Sequence, residues 1–410
     1  MSKNQMLKKY ATLAVKMGVN IQTHDTLVIN SPIDCSEFAR AIATAAYKEG
    51  AKNVVVHYND QKMQKIILNN SSIETLSDVP SWVSESYNSY ARDGANFISI
   101  SSSDPDAFKG VPVEKIAATQ KAKQLALKEY YEKAMSNKVR WCVLSVPSEA
   151  WASKIFPELT IEEAMEKLWI VIFSVVRVDT EDPVEAWVNH NKNLNEKISF
   201  LNKNSFETLH YKNNKGTNLT VELPTGHLWL GGGEKSTSGI EFNANMPTEE
   251  VFTLPKRDGV NGTVVSSKPL SYGGNLINDF SLTFKDGKVI DFSAKEGRDV
   301  LKQLLDSDES AKYLGEVALV PVDSPISNSG IVFYNTLFDE NAACHFAFGK
   351  AYPCCLAGGT EMTDEELAKN NANNSIIHVD FMIGTDDLEI TGITKNKDSV
   401  TIFKNGNWAF

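Results

Sequence analysis

Six residues in the C-terminal half of the chain have types and spacings suited to metal chemistry: Glu250, Glu316, Glu340, His345, His378 and Asp380. His378 and Asp380 stand two apart in Ser375–Ile383, an apolar run that reads as a buried strand, so both point to one face. A histidine and an aspartate in apolar surroundings are costly unless paired or metal-bound. That segment alone fits a plain His–Asp hydrogen bond equally well. Phe338–Gly349 reads as part of a helix from Asp339 to about Lys350, capped by Asp339 with Glu340 in its first turn. His345 lies inside its small-residue and aromatic stretch, and Tyr352 falls on the same face if the helix reaches that far. Glu316 opens the strand Gly315–Val320. Glu249 and Glu250 are neighbours in the strand-like Met246–Thr253, so one can face solvent while the other faces inward. Oxygen and nitrogen donors without thiolate suit zinc, cobalt, manganese or a similar divalent ion. Six donors exceed one tetrahedral site, and a shared carboxylate can hold two ions a few ångströms apart.

The other five histidines, His24, His57, His190, His210 and His227, have no acid at metal-ligand spacing and read as surface or packing residues. His227 precedes the loop Gly231-Gly232-Gly233-Glu234. A triple glycine lets the backbone approach something closely, but no phosphate-loop lysine-serine pattern accompanies it, so it reads as a tight turn.

These residues need a scaffold, and the chain predicts two kinds. Strand patterns at Thr26–Ile29, Asn53–Tyr58, Asn96–Ile100 and Arg140–Val146 alternate with helical ones at Gln5–Met17, Ser36–Lys48 and Val113–Ser136. That alternation implies a parallel sheet covered on both faces. Helices follow at Ser148–Ile155, Ile161–Val175 and Pro183–Leu201. From about Phe206 short alternating runs are joined by turn signals such as Asp286-Gly287 and Asn405-Gly406, with a helix at Arg298–Leu305. The expected fold is an α/β N-terminal domain with a parallel sheet, residues 1–204, followed by an α+β, largely antiparallel C-terminal domain, residues 205–410.

Composition narrows the function. The 410 residues are 42% hydrophobic and 23% charged with a net charge of -11. This is a globular composition whose field repels phosphate backbones, so no nucleic-acid partner is expected. Leu168–Val176, the most apolar run, is about half a bilayer-spanning length, and the opening MSKNQMLKKY has no secretory pattern. No membrane partner is expected. The five cysteines show no CxxC spacing, which argues against a disulfide framework or thiolate zinc site and for a cytoplasmic protein.

The stretches Asn245–Thr253, Tyr313–Val320, Thr336–Ala342 with Cys344-His345, and His378-Val379-Asp380 closely resemble the M29 family of metallo-aminopeptidases. The likeness extends over essentially the whole chain, including Val146-Pro147, Trp151-Ala152 and the helix at Trp187. It implies two divalent cations per subunit held by Glu250, Glu316, Glu340, His345, His378 and Asp380, with Tyr352 lining the site. On the expected helix Glu340 stands about 140° from His345, which leaves it the least secure of the six. The likeness also implies a homodimer that encloses the sites and admits short peptides.

The expected reaction is peptide hydrolysis by a metal-activated water. Glu249 is the candidate proton shuttle, or else a solvated strand residue. Tyr352 is the candidate donor to the oxyanion, or else a packing residue. Two other readings stay open: another dimetal amide hydrolase such as a dipeptidase, and a non-catalytic metal- or ligand-binding protein.

Overall fold

A computed structural model describes residues 2–102, 104–272 and 275–410. The chain forms two compact units: one runs to His190 and takes back Gly233–Pro247, the other comprises Asn191–Gly232 and Thr248–Phe410. The division falls inside the helix Pro183–Asn204 rather than after it. The returning segment joins the first unit because Asn245–Met246 adds a strand to that unit's sheet.

The first unit holds a five-stranded sheet in the order Asn245–Met246, Trp141–Ser145, Asn96–Ser101, Thr26–Pro32, Asn53–Asn59. All its pairings are parallel, as the strand–helix alternation predicts. The helix expected over Val113–Ser136 is instead two helices, Val113–Ala126 and Lys128–Met135. Leu127 leaves helical geometry between them (φ -98°, ψ 19°) and is itself buried.

The second unit contains two largely antiparallel sheets. The smaller runs His378–Met382, His345–Gly349, Leu314–Leu319, Val251–Thr253, Leu230–Gly231. A nine-stranded sheet includes the Asp286-Gly287 hairpin and ends in the Asn405-Gly406 hairpin. Phe346 packs edge-on against Tyr211 at 5.1 Å, and Phe381 lies 5.7 Å from Phe280, which ties one sheet to the other through a shared core.

Strand periodicity gives the smaller sheet two chemically different faces. Phe346, Phe348, Phe381, Val317, Leu319 and Val251 enter the core, and each such aromatic or aliphatic side chain contributes roughly 1.5–3 kcal/mol on full burial. Their alternates, Glu316, His345, Ala347, His378 and Asp380, lie on the opposite face. The core residues therefore fix which residues form the site.

The candidate metal centre

The helix expected from Asp339 to about Lys350 is not formed. Thr336–Asp339 is one helical turn, Glu340–Ala342 a 3₁₀ turn, Ala343 is extended, and His345–Gly349 is a strand with every residue buried. The run Cys344–Phe348 is apolar or aromatic on both sides of any period, and full burial between two strands satisfies it. His345 is consequently a strand residue, and Tyr352 does not share a helical face with it. Glu249 and Glu250 do not divide between solvent and interior either. Both are buried, 5% and 8% exposed, because they precede the ladder-bonded strand and are enclosed by the turn at 340–342.

Cross-strand register assembles the cluster. Glu316 pairs with Ala347 and Ala347 with Asp380, so the two carboxylates flank one methyl group on adjacent strands. His345 pairs with Ala318, and His378 with Gly349. Ala347, Ala318 and Gly349 at these crossings leave the polar side chains room to converge, with Met382 flanking His345 on the other strand. Gly349 adopts φ +92°, and a Cβ there would run into the Ile377 carbonyl, so that crossing requires glycine.

Two three-residue groups result, each with one ligand atom per residue and all atoms within 4.8 Å of one another: Glu250, Glu316 and His345, and Glu316, His378 and Asp380. Glu316 belongs to both and serves them with different oxygens. His345 Nε2 lies 3.2 Å from Glu250 Oε2 and 3.6 Å from Glu316 Oε1. His378 Nε2 lies 3.2 Å from Glu316 Oε2 and 3.3 Å from Asp380 Oδ1. Glu340 is in neither group, although its carboxyl is close enough to feel Asp380 and Glu250. Tyr352 stacks at a tilt on His378, 4.6 Å between ring centres.

The outer nitrogens settle which ring atom faces inward. His345 Nδ1 is 3.1 Å from the Ala343 carbonyl, and His378 Nδ1 is 2.7 Å from the Lys350 carbonyl. A carbonyl only accepts, so each Nδ1 carries the proton, and neutral rings would aim Nε2 lone pairs at carboxylate oxygens. That arrangement repels itself unless a positive charge intervenes, either a proton on each ring or a metal cation between the groups. Burial opposes protonation of His345, but Glu250 and Glu316 outweigh it and hold its pKa well above the usual imidazole range. Burial is likewise outweighed at His378, by Asp380 and Glu316.

The carboxylates report the same demand. Burial, then Asp380 and Glu250, pushes Glu340 well above its ordinary range. Burial also raises Glu250, against the pull of His345. Burial is outweighed at Glu316 by both histidines, and at Asp380 by His378, so both sit low. Four carboxylates beside two neutral imidazoles carry a charge of about -4, which two divalent ions would cancel; the donor set fits such ions.

The remaining histidines stay apart from this cluster. His227 bridges to Leu356, its Nδ1 lies 2.9 Å from the Pro224 carbonyl, and burial lowers its pKa. His57 packs among Tyr87 and Tyr90. The glycine loop serves the site indirectly. Gly231 pairs with Val251, and a Cβ there would strike the Glu250 carbonyl, so the close approach is to this protein's own backbone.

An oxygen- and nitrogen-donor cluster of this kind on a sheet face could hold metal ions, and comparison with known proteins gives the class. Residues 3–408 match the family model described as thermophilic metalloprotease (M29). The chain is 50% identical over 407 residues to aminopeptidase AmpS of Bacillus subtilis (strain 168), covering 99% of each. It is 48% identical over 404 residues to aminopeptidase 2 of Geobacillus stearothermophilus, covering 98% of each. The solved structure of wild-type AmpT from Thermus thermophilus superposes with a TM-score of 0.94 at 39% identity, covering 100% of both chains. The chain belongs to the M29 metalloprotease family. It is a metal-dependent peptide hydrolase, with an α/β parallel-sheet part and a largely antiparallel α+β part.

Sequence reasoning missed three contributors. The Ala343 and Lys350 carbonyls have no side-chain signature, and Asn341, described below, looks like an ordinary turn residue.

Proposed function

We propose that the protein removes N-terminal residues from short peptides at a two-cation centre held by Glu250, Glu316, Glu340, His345, His378 and Asp380. The observation that carries this is Glu316, shared between two ligand groups whose histidines are both locked with Nε2 inward. When bound, the cations lower the pKa of a water and polarise the scissile carbonyl. Zinc or cobalt suits these donors.

The protein's own residues do the rest. Burial, then the charges of Glu316 and Asp380, keeps the Tyr352 hydroxyl protonated, so it can donate to the oxygen of the tetrahedral intermediate. Glu249 is buried beside Glu250 with its backbone held by Asn341, and it is assigned the transfer of a proton to the departing amine. A free α-amine would be held by one of the cations or by a carboxylate left outside their coordination, which gives the exopeptidase preference its physical basis. The α/β domain read from the sequence as residues 1–204 is assigned a structural role in forming a homodimer and walling the cavity.

The compartment proposed is the cytoplasm, supported by the buried free thiols Cys35, Cys142 and Cys344. Among the described residues no helix is long and apolar enough to cross a membrane.

Turnover of aminoacyl nitroanilides beside their N-acetylated forms, with and without a chelator, tests the reading. Hydrolysis of free-amine substrates alone, lost on chelation and restored by metal, is expected. Equal turnover of blocked substrates would show an amide hydrolase that ignores the N-terminus, and bound metal without turnover would show a non-catalytic protein.

A further inference from the structure

The six candidate ligands are not held equally. Glu316, His345, His378 and Asp380 lie within paired strands, where the ladder fixes their backbones. Glu250 stands just before the Val251–Thr253 strand, and Glu340 begins a 3₁₀ turn. Ionised, as metal binding requires, those two would repel each other, so a restraint is needed to keep their segments together before a cation arrives.

Asn341 connects them. It is 0% exposed. Its Oδ1 accepts the Glu249 N–H at 2.7 Å, across 92 residues of sequence. Its Nδ2 donates to the Leu337 carbonyl at 3.0 Å and lies 3.4 Å from Glu340 Oε1. An asparagine amide offers both an acceptor and two donors without charge. It can therefore clamp two acidic segments together without adding to their repulsion. A carboxylate at 341 would have no donor for Glu340, and an apolar side chain would leave the buried Glu249 N–H without its acceptor.

We infer that Asn341 is a positioning residue that sets the separation of Glu250 and Glu340 and so governs metal affinity. This rests on the metal-centre reading above, and on hydrogen bonds rather than on any titration.

The test is a Co²⁺ titration of the metal-free full chain, followed by visible absorption and calorimetry, for wild type, Asn341→Ala, Glu340→Gln and the double variant. Loss of a group that orients a ligand typically weakens metal binding 10–100-fold, and that loss with an altered Co²⁺ spectrum is expected for Asn341→Ala. In the Glu340→Gln background the same substitution should cost clearly less, because one partner through which it acts is already neutral. Wild-type affinity and spectrum in Asn341→Ala would overturn the assignment. Equal costs in both backgrounds would also overturn it, by reducing Asn341 to a general packing role. Should circular dichroism show Asn341→Ala unfolded, Asn341→Ser, which keeps a small acceptor, carries the same comparison. If wild type itself takes up no Co²⁺, the metal-centre reading falls, and this one with it. If wild type binds and the variant matches it, only the Asn341 assignment falls.

Discussion

Replacing Glu316 by glutamine should do something no other single substitution in the site does: disable both cation positions at once. Glu316 offers Oε1 beside His345 and Oε2 beside His378, whereas Glu250 belongs to one group only. A unit charge pair at about 4 Å is worth about 4 kcal/mol at an effective dielectric of 20. Allowing about a third of that for charge screening and for glutamine's remaining carbonyl oxygen leaves about 2–3 kcal/mol per ion, or roughly 30–150-fold in affinity. Binding a metal at 100 times its Kd stabilises a protein by about 2.7 kcal/mol, and a 100-fold weaker variant at the same concentration gains only about 0.4 kcal/mol. The assay is metal stoichiometry by elemental analysis after dialysis, with melting curves of the metal-free and metal-loaded forms. Glu316→Gln should lose both ions and most of the metal-induced rise in Tm, and its metal-free form should melt somewhat lower than wild type, because the ionised Glu316 pairs with both histidines there. Glu250→Gln should retain about one ion. A Glu316→Gln protein that keeps two ions, or loses just one, would refute the bridging role.

Four further outcomes are expected. Ala347→Val places two methyl groups between Glu316 and Asp380; it should cost about 1–3 kcal/mol in denaturant unfolding and weaken metal binding, and unchanged metal affinity would contradict the packing described. Tyr352→Phe should lower kcat by about 10²–10³-fold with KM and metal content little changed; a selective rise in KM would instead make the ring a substrate-packing group. Glu249→Gln should lower kcat by about 10²–10⁴-fold while leaving both ions in place, as measured by kinetics beside metal analysis, and loss of metal would make Glu249 a ligand. Asp308 supplies a pH signature away from the cluster. Burial is outweighed there by hydrogen bonds from Ser375 and the Ile376, Ser310 and Ala311 amides, so its pKa lies below the ordinary value of about 3.9. A depressed folded pKa gives stability that is present above about pH 4 and lost as pH falls through the folded value. Wild type should therefore exceed Asp308→Asn in urea stability at pH 6, by a margin that shrinks below pH 4. A constant margin would exclude the linkage.

What could be read from the chain depended on how local the cause was. The His378/Asp380 pair is legible because period-2 alternation alone puts both on one face, and the register confirms it. The parallel sheet was legible because strands and helices alternate over two hundred residues. The sequence places His345 on a helix because Asp339 and Glu340 resemble a helix start, while the residues flanking His345 are apolar on both sides and show no strand alternation. Only enclosure by Leu314–Leu319 on one side and His378–Met382 on the other selects a strand. Glu249 was given a solvent alternative because its burial comes from the turn at 340–342, far away in sequence. Asn341 had no signal at all, since a single asparagine in a turn is unremarkable until its partners are seen. The domain boundary drifted because Gly233–Pro247 returns to the first unit, a connection that no local pattern announces.

The two-faced strands have a consequence for how this protein matures. Strand His345–Gly349 alternates core aromatics with site residues, so pairing it one position out of step would turn Phe346 and Phe348 toward the site face and bury His345 among hydrocarbon. No partial version of the error is available, because the same residue-by-residue alternation sets both faces. A misthreaded molecule would thus lose its ligands and its core together, and would take up no metal. Ligand set and core are specified by one and the same register, and only a chain paired in that register presents the cluster.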